Sequence, residues 1–484
     1  MELDHGRCFS AYHSRDARFD GRFFVGVRTT RIYCRPICPA PRPRAHNVRF
    51  FGCAAAAEEA GFRPCRRCRP DTAPGTPAWA GTSATVARAL RLIEAGALDQ
   101  TGVEALAARL GVGERHLRRL FLRHVGAAPL AVARTRRAHF ARRLIDETRL
   151  PMIEVAGAAG FGSVRQFNDA IRATFGRTPT QLRARGPRGA AGDDISLRLP
   201  FRPPLDWRGL MRYLAPRAIP GVETVAGAIY SRSLALATSQ GVITVEPDGD
   251  GRHLKLRARL TSPAVLHDVV TRVRRVFDLD ADPLTIVRWL RRDNRLRHAA
   301  RLTAGLRVPG AWDGFELAVR AVLGQQVSVA AATTLAGRLV QAYGRRLTHD
   351  GSPEVSHLFP EPRTLADADL EGLGLTARRR EAVRAVARAV CDGQVRLEPH
   401  ADVETTLVRL QGLPGWGAWT ARYVALRALG EPDAFPSSDL GLRRALAPAG
   451  RPASARDVEA WSQPWRPWRA YAAVALWTSQ KGKT

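Results

Sequence analysis

The stretch Leu413-Pro414-Gly415-Trp416-Gly417 leaves few folds open around it. Two glycines two positions apart, between apolar helical runs, allow a tight hairpin between helices and leave its N–H groups bare. A helix beginning at Ala418 adds its own unpaired N–H groups and the positive end of its dipole, so the turn forms a small anion site. A DNA phosphate suits such a site, because that contact holds a backbone without reading sequence. Twenty-two residues past Gly417 a lone acid, Asp439, follows Pro436-Ser437-Ser438. A helical turn followed by an N-cap aspartate would use the same residues.

Charge narrows the partner. The formal net charge is +30 over 484 residues, which calls for a polyanion: nucleic acid first, an acidic membrane surface second. The length accommodates roughly three or four domains. The basic residues are almost all arginine, with lysine only at Lys255, Lys481 and Lys483. No apolar run is long enough to span a bilayer, and no signal peptide opens the chain. A cytoplasmic protein with no membrane partner is therefore expected. Seven cysteines in that compartment point to metal or chemistry rather than disulfides.

Four of them form two close pairs, Cys34 with Cys38 and Cys65 with Cys68. Paired thiolates suit tetrahedral Zn²⁺. Residues 1–78 hold few apolar side chains, so one zinc ion would supply much of their folding energy. Cys8, Cys53 and Cys391 stand outside the pattern. Cys53 is expected as a small buried residue, and His46 is not needed once four thiolates fill the shell. A purely structural zinc ribbon would use the same four ligands. The words Val27-Arg28-Thr29-Thr30-Arg31-Ile32-Tyr33-Cys34-Arg35-Pro36-Ile37-Cys38 and Gly61-Phe62-Arg63-Pro64-Cys65-Arg66-Arg67-Cys68 resemble the N-terminal domain of the Ada methylation-response proteins. The resemblance implies that a zinc-bound thiolate, Cys34 here, takes a methyl group from a DNA phosphotriester. Zinc keeps such a thiolate ionised at neutral pH and so nucleophilic. Methylation removes one negative charge and lowers repulsion toward phosphate. The transfer is stoichiometric, because the protein is consumed.

Residues 79–186 follow a Pro/Gly/Thr-rich connector expected over Pro70 to Ser83. Helices are expected from Val103 to Leu110 and Glu114 to His124, then Leu130 to Asp146, Ile153 to Ala159 and Ser163 to Phe175. That order is two helix-turn-helix units joined by a long helix. A helical spacer with a solvated basic face would show a similar pattern. The ending Phe161-Gly162-Ser163 … Phe167 … Phe175-Gly176-Arg177-Thr178-Pro179 resembles the AraC-type DNA-binding domain. In each unit the second helix would enter the major groove, with Arg115, Arg118, Arg119, Arg165 and Gln166 as DNA contacts.

Past a Gly/Arg connector at Arg183 to Asp194 the period changes to two. Ile195 to Phe201, Val222 to Tyr230, Gly241 to Glu246 and His253 to Leu260 alternate as half-buried strands, followed by helices at about 264–277 and 283–290. By position, residues 193–303 resemble the small α/β domain that precedes the catalytic part of AlkA-type 3-methyladenine glycosylases. No chemical motif marks them, and an architectural role is expected.

Residues 304–484 carry the hairpin. Leu-Pro-Gly-x-Gly-x-x-Thr-Ala followed by a spaced acid resembles the helix-hairpin-helix DNA glycosylases. A long helical stretch from Phe315 to Tyr343 matches the AlkA-type family. Gly415 and Gly417 would grip phosphate, and Gln325 and Gln326 would approach the gap left by an extruded base; relatives carry an apolar wedge where Gln326 stands. A base must leave the duplex to be reached, and Trp419, Tyr423 and Trp477 match the family's aromatic pocket. Aromatic faces attract a cationic alkylpurine by roughly 0.5–2 kcal/mol. Leu440-Gly441 replaces the family's tyrosine after the acid, which implies a roomier pocket. Trp465, Trp468 and Tyr471 would line the pocket or the core. Asp439 matches the catalytic acid that stabilises the oxocarbenium-like sugar. Trp419 stands where bifunctional relatives have a lysine, so base removal without strand cleavage, and without a cofactor, is expected.

The resemblances imply a multidomain chain, mainly α with α/β parts. They imply a 3-methyladenine glycosylase II type enzyme fused to a methyl-accepting regulator, with damaged and promoter duplex DNA as partners and RNA polymerase as a candidate partner. A transcriptional activator whose glycosylase part is inactive is the alternative. Direct reversal of O⁶-methylguanine would need Pro-Cys-His-Arg, and Pro64-Cys65 is followed by Arg66.

Overall fold

The computed structural model describes residues 3–73, 84–183, 194–237, 239–348, 354–399, 401–447 and 451–480. Contacts group them into two compact units. The first is Met1–Arg202 with Arg252–Arg257 and Thr261–Thr271; the second is Pro203–Gly251 with Ala258–Leu260 and Arg272–Thr484. Most of each expected connector, 74–83 and 184–193, lies outside the described residues. The first begins later than composition suggested. Pro70–Thr72 is a 3₁₀ turn with Pro70 buried, held because Arg69 pairs with both Asp71 and Asp146.

In the first unit, four strands lie in the order Val48–Phe51, Phe24–Val27, Ile32–Cys34, Arg63–Pro64. The first two pairings are antiparallel and the last is parallel. Gly26 is required there, because a Cβ would stand 2.7 Å from the Phe51 ring and 2.9 Å from Phe62. The helix Ala54–Glu59 covers this sheet, and Cys53 caps it, its Sγ accepting from Ala56 N at 3.4 Å. Cys53 is thus half-buried and bonded, where a small buried filler was expected.

The helix-turn-helix order is as expected: Val103–Arg109, Glu114–His124, Pro129–Glu147, Met152–Ala158 and Val164–Phe175. Ser163 Oγ accepts from Gln166 N at 3.2 Å, and Gly176 closes the last helix at φ +66°. The zinc-site sheet and the long helix share one core, in which Phe24, Tyr33, Phe51 and Phe62 surround Ala127. At its edge Tyr33 donates to Glu58 Oε1 at 2.8 Å, Thr135 donates to Glu58 Oε2 at 2.6 Å, and His139 Nε2 lies 3.0 Å from Glu58. Burial opposes both charges, yet the bond between them holds His139 above and Glu58 below its ordinary pKa.

In the second unit, Glu223–Ala226, Ile229–Leu236 and Ser239–Pro247 form an antiparallel meander. The single strand expected from Val222 to Tyr230 is two strands, because Gly227 turns at φ +61°. The helical core gathers Val319, Val322, Leu339, Val383, Val386, Leu410, Trp416 and Val424. The long helical stretch expected from Phe315 to Tyr343 is two helices, Gly314–Leu323 and Val329–Tyr343. Ser328 Oγ caps the second by accepting from Ala331 N at 3.2 Å, so a new helix start outcompetes continuation.

Three buried charges and the half-buried Arg320 join the meander to the helices. Arg232 bonds Glu223 at 3.0 Å and Glu316 at 2.8 Å, and Arg320 bonds the same two acids at 3.2 and 3.1 Å. Burial opposes charging Glu223, but Arg320 and Arg232 outweigh it and hold its pKa low. Removing one partner strands buried charge, which costs about 3–5 kcal/mol. Glu316→Gln should lower unfolding free energy by roughly that amount in urea titrations, with no change at the zinc site.

Candidate active site and metal centre

The hairpin joins the helices Val403–Gln411 and Ala418–Arg427. Gly415 sits at φ +78°, and a Cβ there would meet Ala382 Cβ at 2.8 Å, so both conformation and space demand glycine. Gly417 is different. It is the N-cap at φ −97°, with no side-chain cap and, among the described residues, nothing within 4 Å of its would-be Cβ. Open space over uncapped N–H groups is what a phosphate needs. Trp416 anchors the turn, buried with Nε1 donating to Ala382 O at 3.2 Å.

The break after Leu323 brings Gln325 to this hairpin. Its Nε2 donates to Gly415 O and to Thr420 Oγ1, each at 3.1 Å. Gln325 therefore braces the turn. Gln326 projects from the same loop, exposed, at φ +55°. A left-handed non-glycine residue at a loop tip is a strained position of the kind found at functional sites.

Asp439 stands beside the hairpin helix. Trp419, in that helix's first turn, donates Nε1–H to Asp439 Oδ2 at 2.9 Å. Trp477, from the helix Arg469–Gln480, donates Nε1–H to Oδ1 at 2.9 Å, and Leu442 N donates to Oδ1 at 3.0 Å. The aspartate is thus also the N-cap of Leu440–Ala445. Oδ1 accepts two hydrogen bonds and Oδ2 one, among the described residues, so Oδ2 keeps a lone pair. Asp439 is partly exposed. Gly441 preserves the arrangement, since a Cβ there would come 2.9 Å from Asp439 Oδ1 and 3.3 Å from Trp477 Cδ1. Leu440 points outward, 47 % exposed.

Tyr423 stacks on Trp419, with centroids 5.3 Å apart and planes 9° from parallel. Beneath it lies a group that the sequence did not signal. Arg427 donates to Tyr423 OH at 2.8 Å and to Tyr213 OH, while its remaining N–H groups reach Pro309 O and Gly310 O. Burial raises the Tyr213 pKa, but the Arg427 and Arg217 charges outweigh it and bring it to about 8. Tyr213 comes from Trp207–Leu214, in the stretch expected to be only architectural. No local motif marks it, because the partnership spans over 200 residues of chain. Trp465, Trp468 and Tyr471 are core.

At the metal centre, the sulfurs of Cys34, Cys38, Cys65 and Cys68 lie within 4.8 Å of one another. Cys38 and Cys65 are 4.0 Å apart, close to the ~3.8 Å edge of a tetrahedron with Zn–S of about 2.3 Å. The donor set and spacing therefore fit Zn²⁺. His46 is exposed and outside the cluster. Arg35 frames the site, its N–H donating to Cys68 Sγ at 3.3 Å and its guanidinium pairing with Asp20. Cys34 ends the strand Ile32–Cys34 and is 4 % exposed. On the helix-turn-helix units, Arg115, Arg118, Arg119, Arg165 and Gln166 are all exposed. Arg118 also pairs with Glu114 at 3.2 Å.

A thiolate metal centre, paired helix-turn-helix units and a helix-hairpin-helix with a cradled acid define a DNA-binding regulator fused to a base-excision fold. Four family models match in that order: the metal binding domain of Ada at 7–71, a helix-turn-helix domain at 106–185, the AlkA N-terminal domain at 196–313, and the HhH-GPD superfamily base excision DNA repair protein at 319–467. The chain is 46 % identical over 484 residues to the probable bifunctional transcriptional activator/DNA repair enzyme AlkA of Mycobacterium tuberculosis, covering 99 % of this chain and 97 % of that one. It belongs to that family of Ada-type regulators fused to an AlkA-type glycosylase. It is also 38 % identical over 285 residues to DNA-3-methyladenine glycosylase 2 of Escherichia coli, covering 58 % of this chain and 96 % of that one. The solved 3-methyladenine DNA-glycosylase from Archaeoglobus fulgidus shares the fold, with a TM-score of 0.53 at 21 % identity over 59 % of this chain and 98 % of that one.

Proposed function

We propose that the protein answers DNA alkylation in two ways: it excises alkylated bases with its C-terminal part, and it accepts a phosphotriester methyl on Cys34 and regulates transcription with its N-terminal part. Working boundaries are 1–78, 79–186, 193–303 and 304–484. The observation that carries the excision reading is the cradle around Asp439, with a lone pair on Oδ2 and a bond to Trp419, two residues past Gly417 of the hairpin.

In this reading Gly415 and Gly417 hold a phosphate, Gln326 fills the gap in the duplex, and the extruded base enters beside Trp419, Tyr423 and Trp477. The bond from C1′ to the base nitrogen breaks with its electron pair on the base. Asp439 Oδ2 faces the positive sugar that results. Water then adds at C1′ and gives up its proton to bulk solvent. No lysine lies between Lys255 and Lys481, so no Schiff base forms there and the strand stays intact.

At the other site Zn²⁺ would hold Cys34, Cys38, Cys65 and Cys68 and supply ionisation of the thiolates. Cys34 Sγ attacks the phosphotriester methyl; the S–CH₃ bond forms, the O–CH₃ bond breaks, and a phosphodiester anion leaves. Loss of one negative charge strengthens DNA binding by Arg115, Arg118, Arg119, Arg165 and Gln166, and brings the activator to RNA polymerase at its promoter in the cytoplasm.

Chromatography of free bases released from methylated duplex DNA tests the excision reading. Release of 3-methyladenine is expected. No release with tight DNA binding would leave only the regulator.

A further inference from the structure

The turn that carries Asp439 is tied to the hairpin helix at two points. One is Trp419. The other is Arg422, three residues on and on the same helix face. Arg422 Nη1 donates to Ser437 Oγ at 3.1 Å, to Phe435 O at 3.4 Å and to Glu459 Oε2 at 3.0 Å. Ser437 is buried and stands two residues before Asp439, whose own N–H closes the turn on Pro436 O at 2.8 Å. Glu459 does not act alone. Its Oε1 accepts from Arg469 Nη1 at 2.9 Å, and Arg469 grips Asp433 through Nε at 2.8 Å and Nη2 at 3.0 Å. Arg466 pairs with Asp433 as well. The ladder Arg422–Glu459–Arg469–Asp433 thus fastens the loop 433–437 to three helices.

Stability does not account for its first rung. The Arg422 and Glu459 side chains are 40 % and 34 % exposed, and ion pairs that open to water add little to folding. Their leverage is geometric. If the turn shifts, Asp439 cannot keep both indole N–H bonds, and a carboxylate misplaced by about 1 Å can cost on the order of 10²-fold in rate.

We propose that Arg422, with Glu459 as its counter-ion, is a positioning residue for base excision. It sets the Pro436–Asp439 turn from the helix that also carries Trp419. This rests on Asp439 acting at the sugar.

The test uses the full-length protein with Arg422→Ala, Arg422→Lys, Glu459→Gln and Asp439→Asn. Single-turnover excision from methylated duplex DNA, its dependence on DNA concentration, thermal melting and the indole ¹H–¹⁵N resonance of Trp419 are measured. Arg422→Ala should lower the maximal rate by about 10- to 100-fold with half-saturation within about 2-fold and melting unchanged. The Trp419 indole resonance should move. Arg422→Lys should recover part of the rate, because its ammonium still reaches Ser437 or Glu459, and Glu459→Gln should fall between. A wild-type maximal rate in Arg422→Ala overturns the positioning role, provided that Asp439→Asn is inactive. A rate loss that comes with lowered melting and an unmoved Trp419 resonance overturns it too, since the residue would then be structural. Wild-type excision by Asp439→Asn overturns the role of Asp439 at the sugar, on which the positioning role rests.

Discussion

Asp439→Asn is expected to lower excision of alkylated bases by about 10³-fold, the scale of losing one preorganised charge at a developing charge, while affinity for duplex DNA with an abasic analogue stays within a few-fold. The reason lies in the several jobs of this one side chain. Asp439 caps Leu440–Ala445 through Leu442 N and receives two indole N–H groups. Asparagine caps helices as well as aspartate does, so the turn survives. What it lacks is the negative charge, and its amide would face an indole donor on one side. Alanine would confound the two roles by removing the cap as well. Single-turnover base release, paired with binding to the abasic analogue, separates chemistry from recognition. Retained excision would remove Asp439 from the mechanism.

Cys34→Ser is expected to end methyl uptake from methylphosphotriester DNA completely, because a hydroxyl stays protonated where a zinc thiolate is ionised. Mass spectrometry of the peptide containing Cys34 should show one added methyl in the wild type and none in the variant. Binding to promoter DNA should strengthen on methylation of the wild type and stay unchanged in Cys34→Ser. Because the zinc-site sheet shares its core with the long helix through Tyr33, Ala127 and the Glu58–His139 bond, chelating zinc should also loosen the helix-turn-helix units. Methyl uptake by the serine variant would assign the acceptor elsewhere.

What could be read ahead of the structure follows the range of each interaction. The hairpin, the paired cysteines and the caps at Ser163 and Gly176 are local, so spacing and residue type reveal them. Asp439 was legible as a candidate because the hairpin followed by a spaced acid resembles the helix-hairpin-helix glycosylases. The break at Gly324–Ser328 was not, because the apolar helical period runs on through it and only the Ser328 cap decides. Gly227 split a strand for the same reason: one left-handed residue outweighs an unbroken alternation. Tyr213, Arg427 and the Arg422–Glu459–Arg469–Asp433 ladder are invisible to spacing, since each partnership forms only once the chain has folded. The shared core of the zinc-site sheet and the long helix was hidden by a connector whose composition suggested separation.

Base release as proposed depends on Asp439 stabilising a positively charged sugar. The most direct measurement compares the affinity of the full-length protein for duplex DNA carrying a cationic azasugar with that for the same duplex carrying its neutral tetrahydrofuran counterpart. The wild type should bind the cationic ring at least about tenfold more tightly, and Asp439→Asn should bind the two alike. Equal affinities in the wild type, or an undiminished preference in the variant, would remove Asp439 from that role.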